Sequence, residues 1–129
     1  MLRDPDQPVG SPRAWRLYYT SIISASYRRF MCLAFSADGI AWQKPELGIV
    51  SFNGSSATNI VYPTSENYTG RYQVGNVFVD EKPGIPAAQR WKHVTQRSCT
   101  SGNGLAVLSS PDGIRWNPDH CASTGVTGR

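Results

Sequence analysis

The sequence predicts an all-β fold: short strands in antiparallel sheets of four, with the sheet repeated along the chain. Three observations support this. The 129 residues include 12 Gly and 9 Pro, close to one residue in six, while only 17% are charged. That mix argues against a coiled coil, a long-helix bundle or a charged disordered chain. The apolar runs are four to seven residues long and are bounded by Gly, Pro, Asp and Ser, with no helical period. Finally, one seven-residue element occurs twice.

That element is Ser36-Ala37-Asp38-Gly39-Ile40-Ala41-Trp42, which returns as Ser110-Pro111-Asp112-Gly113-Ile114-Arg115-Trp116. Five of the seven positions are identical, at an offset of 74. The match extends backwards at an offset of 76, from Trp15–Tyr19 to Trp91–Thr95 and from Leu2–Pro5 to Phe78–Glu81. A loop between the second and third strands absorbs the two-residue drift.

Each unit therefore reads in the same order. An apolar stretch ends in Asp4 or Asp80, and a Pro-rich loop follows. A strand starts at Trp15 or Trp91, and the next runs Phe30 to Phe35 or Leu105 to Leu108. Then come Ser-x-Asp-Gly and a last strand carrying Trp42 or Trp116. A four-stranded sheet repeated at fixed spacing is the signature of β-propeller blades. The boundaries expected are 1–57 for the first blade and 58–129 for the second, with a poorly patterned tail from about residue 118. At this repeat length five blades need roughly 370 residues, so the chain is expected to be about two blades of a larger ring.

The repeated element has a direct physical reading. Asp-Gly suits a tight turn because Gly tolerates positive φ. The Asp carboxylate and the Ser hydroxyl accept backbone N–H groups within the turn. Trp then buries a large ring between sheets. This is the plan of a shortened Asp-box hairpin. Asp38, Gly39, Trp42, Asp112, Gly113 and Trp116 are accordingly expected to be structural.

Charge and cysteine content narrow the function classes. Thirteen Lys and Arg against nine Asp and Glu give +4. The basic residues are scattered, Arg28-Arg29 being the one adjacent pair, so no nucleic-acid partner is expected. No apolar run approaches the roughly 20 residues of a membrane helix, and the first residues lack the apolar core of a signal peptide. Localisation stays open. The three cysteines have no C-x-x-C spacing, so neither a zinc site nor a disulfide framework is implied. Cys32 reads as a core residue, and Cys99 and Cys121 are candidates for pairing. His93 and His120 stand alone, so no metal and no cofactor are expected. Two sequons occur, at Asn53 and Asn67.

Taken in order, several segments resemble one known group. They are Ser36 to Trp42, Lys44-Pro45-Glu46-Leu47-Gly48-Ile49, Phe52-Asn53-Gly54-Ser55, Asn59-Ile60-Val61, Val77 to Asp80 and Arg90-Trp91-Lys92. The group is a set of bacterial five-bladed β-propellers similar to glycoside hydrolases of the invertase and arabinanase type. The resemblance runs from about Leu2 to Trp116 and implies carbohydrate hydrolysis by three carboxylates at the mouth of a central channel. An acid on the leaving oxygen and a carboxylate on the opposite side suit glycosidic cleavage, and crowding separates their pKa values.

Carried over residue by residue, Arg3-Asp4-Pro5 resembles the family's Arg-Asp-Pro motif. Asp80 holds the equivalent place one blade later, with Glu81 beside it as a candidate acid. The invertase Asn-Asp-Pro-Asn-Gly nucleophile motif is absent. Arg3, Trp15, Tyr18 and Trp91 are the candidate sugar-binding residues. The expected partners are an oligo- or polysaccharide and the remaining blades of a parent chain. The parent is expected to be glycosidase-like if those blades supply the other carboxylates, and this chain alone is expected to be inactive. The competing reading is a non-catalytic propeller module that binds carbohydrate or another partner, with structural carboxylates.

Overall fold

The computed structural model describes residues 1–23, 27–99 and 102–117. Those residues form an all-β protein of two antiparallel sheets. The first sheet holds β1 (Leu2–Arg3), β2 (Trp15–Ile23), β3 (Arg28–Ser36) and β4 (Ile60–Tyr62), in that spatial order. The second holds β5 (Tyr72–Val79), β6 (Trp91–Cys99) and β7 (Gly102–Ser110). A 3-10 turn, Ala87–Gln89, precedes β6. Among the described residues no helix is long and apolar enough to cross a membrane.

The long hairpins match the repeat. β2 pairs with β3 from Trp15↔Ser36 to Ile23↔Arg28, and β6 pairs with β7 from Trp91↔Ser110 to Cys99↔Gly102. In both sheets the repeated Trp thus faces the Ser that opens the Asp-Gly turn. Alternation along β6 and β7 is clear. Trp91, His93, Thr95, Ala106, Leu108 and Ser110 are buried, while Leu105 and Val107 are exposed. That is a sheet with one face covered and one open. By contrast, β3 is buried continuously from Phe30 to Ser36, as expected for a strand covered on both faces.

The core explains this difference. Met31, Leu33 and Phe35 of β3, with Val61 and Tyr62 of β4, form one cluster with Tyr72, Trp91, Leu108 and Trp116 of the second unit. The opposite face of β3, Phe30 and Cys32, packs with Ile60, Val50, Ile49 and Phe52. β3 is therefore clamped between the second sheet and the excursion that leads to β4.

Two expectations need correction. The sheets were expected to have four strands each, and among the described residues the second has three. Among the described residues the strands expected to carry Trp42 and Trp116 are each reduced to one bridge, Phe35↔Gln43 and Ser109↔Asn117. Pro45, two residues after Gln43, has no N–H to continue a ladder. The chain then turns through positive φ at Gly48, Asn53 and Gly54. The fourth strand of the first sheet comes instead from Ile60–Tyr62, beyond residue 57. Cys32 is a buried free thiol, and Cys99 is disulfide-bonded. The candidate partner Cys121, His120 and the tail from about residue 118 lie outside the described residues.

Candidate functional site

The two Asp-Gly turns are near-identical in geometry. Ser36 Oγ accepts the N–H groups of Asp38 and Gly39 at 3.2 and 2.9 Å, and donates to Asp38 Oδ1 at 3.0 Å. Asp38 Oδ1 also accepts from Ile40 and Ala41 at 2.8 and 3.0 Å. Ser110 and Asp112 repeat the set, with Ile114 and Arg115 as donors at 2.8 and 2.9 Å. The N–H groups of Ala41 and Ile40, then Ser36, hold the Asp38 carboxyl below its ordinary pKa. For Asp112 burial pushes upward, and the N–H groups of Arg115 and Ile114 with Ser110 outweigh it. Both carboxylates are occupied in building their own turns.

The second turn is also a joint between the sheets. Arg16 Nη1 donates to the Asp112 carbonyl at 2.6 Å, and Tyr18 Oη donates to the Gly113 carbonyl at 2.7 Å. The Arg16 guanidinium stacks 4.2 Å from the Trp91 ring centroid, and Tyr18 meets Trp116 edge-on at 6.4 Å. Burial pushes the Tyr18 hydroxyl up to about 12 against the opposing pull of Arg16. Tyr18 and Trp91 are thus used inside the protein. Of the three candidate sugar-binding aromatics, Trp15 and Tyr18 are half-buried and Trp91 is buried. Arg3 ties the first loop by donating to the carbonyls of Asp4, Ala14 and Gln7.

Asp4 lies under the same joint. It is 1% exposed. Its Oδ2 accepts from Arg16 Nε and Nη2 at 3.0 and 2.7 Å, and its Oδ1 accepts the Asp6 N–H at 2.9 Å. A catalytic carboxylate must touch its substrate, and Asp4 is sealed from solvent by the ion pair it makes. Asp80 repeats the arrangement in looser form. Its Oδ1 accepts the Lys82 N–H at 3.1 Å, and its Oδ2 lies 3.8 Å from Lys92 Nζ. Glu81 is exposed beside it. The repeat thus brings Asp4 and Asp80 to equivalent places, each beside a cation from the next strand.

His93 is fully buried. Its Nδ1 donates to the Asn76 carbonyl at 3.1 Å, and its Nε2 accepts from Tyr72 Oη at 2.9 Å. Burial lowers its pKa to about 4, partly offset by the Asn76 carbonyl. With both ring nitrogens engaged, it has no lone pair for a metal. Among the described residues no cluster of three or more His, Cys, Asp or Glu is arranged to hold a metal ion.

A cleft of about 540 Å³ opens between the sheets at the hairpin end of β2 and β3. Its lining includes Arg28, Arg29, Arg71, Tyr68 and Tyr72, over Phe30. Arg29 and Arg71 form no salt bridge with a carboxylate among the described residues. The pair Arg28-Arg29 is visible in the sequence, yet reads there as ordinary solvated surface. Arg71 is some 40 residues away, and no local pattern signals that β5 brings it alongside. Arg16, too, was no candidate, although the alignment of Arg16 with Lys92 and of Asp4 with Asp80 contained the signal for both ion pairs.

Comparison with protein-family models, curated proteins and solved structures found no match to this chain.

Proposed function

We propose that this chain is a non-catalytic saccharide-binding module built from two consecutive propeller-type repeats. In this reading the basic cleft between the sheets takes an acidic glycan. One observation carries it: Arg28, Arg29 and Arg71 converge with Tyr68 and Tyr72 on a cavity of about 540 Å³, a volume usual for ligand sites. A guanidinium fork matches the planar carboxylate of a uronate or the oxygens of a sulfate ester. The half-buried Tyr68 ring supplies apolar surface for a sugar ring. The carboxylates expected to act on substrate serve elsewhere in this reading, as turn acceptors and as partners of Arg16 and Lys92.

The test is calorimetric titration with an oligogalacturonate and with a neutral oligosaccharide of the same length. Binding of the acidic sugar alone, weakened by salt, supports the reading. The double variant Arg29→Ala, Arg71→Ala should lose at least about tenfold in affinity, or about 1.4 kcal/mol. Equal binding of both sugars, or an unaffected double variant, overturns it.

A second reading is favoured by the equivalent placement of Asp4 and Asp80. In it the chain is part of a longer glycoside hydrolase-like propeller, and Asp80, the more accessible of the two, faces substrate in the parent. Asp80→Asn should then abolish sugar release by the full-length parent. Unchanged release removes Asp80 from the reaction.

A further inference from the structure

The repeat gives β1, β2 and β3 counterparts in β5, β6 and β7, and on one face several counterparts differ in burial. On the first sheet Arg16, Tyr18, Met31, Leu33 and Phe35 face the second unit. Met31 and Leu33 are 0% exposed. The offset that maps Trp42 onto Trp116 maps these two onto Leu105 and Val107, which are 36% and 40% exposed. Leu2, packed against the core, maps onto Phe78, which is 44% exposed. The buried Arg16–Asp4 pair maps onto Lys92–Asp80, which solvent reaches. The pairs Phe78↔Lys92 and Val94↔Val107 are directly opposite one another across β5, β6 and β7. Phe78, Val94 and Val107 form, with Leu105, an apolar patch on a face that also carries Lys92, Asn76, Gln96 and Ser109.

The other half of the joint shows the converse. In the second unit Trp116 is 5% exposed, Trp91 is 1% exposed, and Ile114 packs on the shared core. Their counterparts in the first unit are Trp42 and Trp15, both half-buried, and Ile40, which is 84% exposed. Every copy of the chain therefore carries both halves of a joint whose complementarity its own interior demonstrates.

We propose that a second copy of this chain docks head to tail on the open face of the second sheet. The Ile40–Trp42 hairpin and Trp15 of one copy seat on Phe78, Val94, Leu105 and Val107 of the next. Lys92 takes the place of Arg16 and donates to the Asp38 carbonyl. The two surfaces differ, so the contact is heterologous and extends beyond a dimer unless its rotation closes a ring. It is weaker than the internal joint for two reasons. Val94 stands where Tyr18 reaches the Gly113 carbonyl, and Ile49 and Phe52 cover the far part of the docking face. Association is therefore reversible and concentration-dependent rather than permanent.

Analytical ultracentrifugation of the full chain from about 1 µM to about 1 mM tests this. The mean mass should rise with concentration. Ile40→Asp and Val107→Lys each remove one half of the joint at an exposed site, so each variant alone should be monomeric with an unchanged far-UV spectrum. Mixed together they should form a dimer and nothing larger, since one variant keeps the hairpin and the other keeps the receiving face. Val9→Asp, at a 91% exposed loop position outside both surfaces, should behave like the wild type. A wild type that stays monomeric throughout, single variants that associate like the wild type, or a mixture that stays monomeric while the wild type associates, would each overturn the proposal.

Discussion

Acidification from pH 6.5 to 4 should weaken the fold through one residue, His93. In the folded protein its imidazole is enclosed by Tyr72, Trp116 and the Asn76 carbonyl, with no carboxylate bonded to the ring. Burial lowers its pKa from the ordinary 6.5 to about 4. A group that resists protonation when folded is stabilised above its unfolded pKa. Below pH 6.5 the unfolded chain takes up a proton that the folded chain refuses, so stability falls with pH until the folded pKa is reached. Each pH unit in that window is worth about 1.4 kcal/mol, and the whole window about 3 kcal/mol. Asp38 and Asp112 titrate below the ordinary carboxyl range, so their losses come mainly at lower pH. Urea unfolding at half-unit pH steps measures the slope. His93→Phe should be less stable at neutral pH, because Tyr72 Oη and the Asn76 carbonyl lose their partner, but its profile should be much flatter. A wild-type profile flat from pH 6.5 to 4.5, or a variant with the same slope, would refute the reasoning.

Other outcomes follow from the differences between the repeats. Arg16→Ala leaves the Asp4 carboxylate buried without its cation and should cost about 3–5 kcal/mol; Lys92→Ala, at the more accessible counterpart, should cost less than about 1 kcal/mol. Thermal unfolding compares the two directly. Gly113 has φ +73°, and a Cβ there would lie 2.6 Å from Tyr18 Oη and 2.7 Å from Arg16 Nη1. Gly113→Ala should therefore cost about 2–4 kcal/mol, combining left-handed backbone strain with overpacking. At Gly39 the same φ region meets nothing nearer than 3.6 Å, so Gly39→Ala should show the backbone cost alone, about 1–2 kcal/mol. Cys32 is 4% exposed, and burial pushes its thiol up to about 11. Iodoacetamide at about pH 8 should label it only after unfolding, as read by mass spectrometry of the peptide; labelling at the unfolded rate in native buffer would contradict the burial.

The hairpins were legible because they depend on local rules. Trp15, Ser36, Asp38 and Gly39 recur with their spacing, and the turn chemistry of Ser-x-Asp-Gly is complete within a few residues. Both turns consequently share the same hydrogen bonds. The fourth strand was not legible. Trp42 looks like the start of a strand, but Pro45 ends the pairing after a single bridge at Gln43. The place beside β3 goes to Ile60–Tyr62, some 24 residues after Ser36, and pairing at that distance has no local mark. The candidate site suffered similarly. Asp4 carries a motif that suggests chemistry, yet its accessibility depends on Arg16 and on a turn more than 100 residues away.

By itself the sequence determined the secondary-structure class, the two long hairpins, both Asp-Gly turns and the correspondence between the units. Each of these arises from backbone preferences and side chains a few positions apart. Only the tertiary structure decided which face of each sheet is covered. Leu33 and Val107 occupy matching positions in matching strands, and one is sealed while the other meets water. Burial depends on what lies across the sheet, and the Trp91–Trp116 face of the second unit lies across only the first. The same long-range packing gathers Arg28, Arg29 and Arg71 around one cleft and places Asp4 beneath Arg16, because the contacts that do so join residues far apart along the chain.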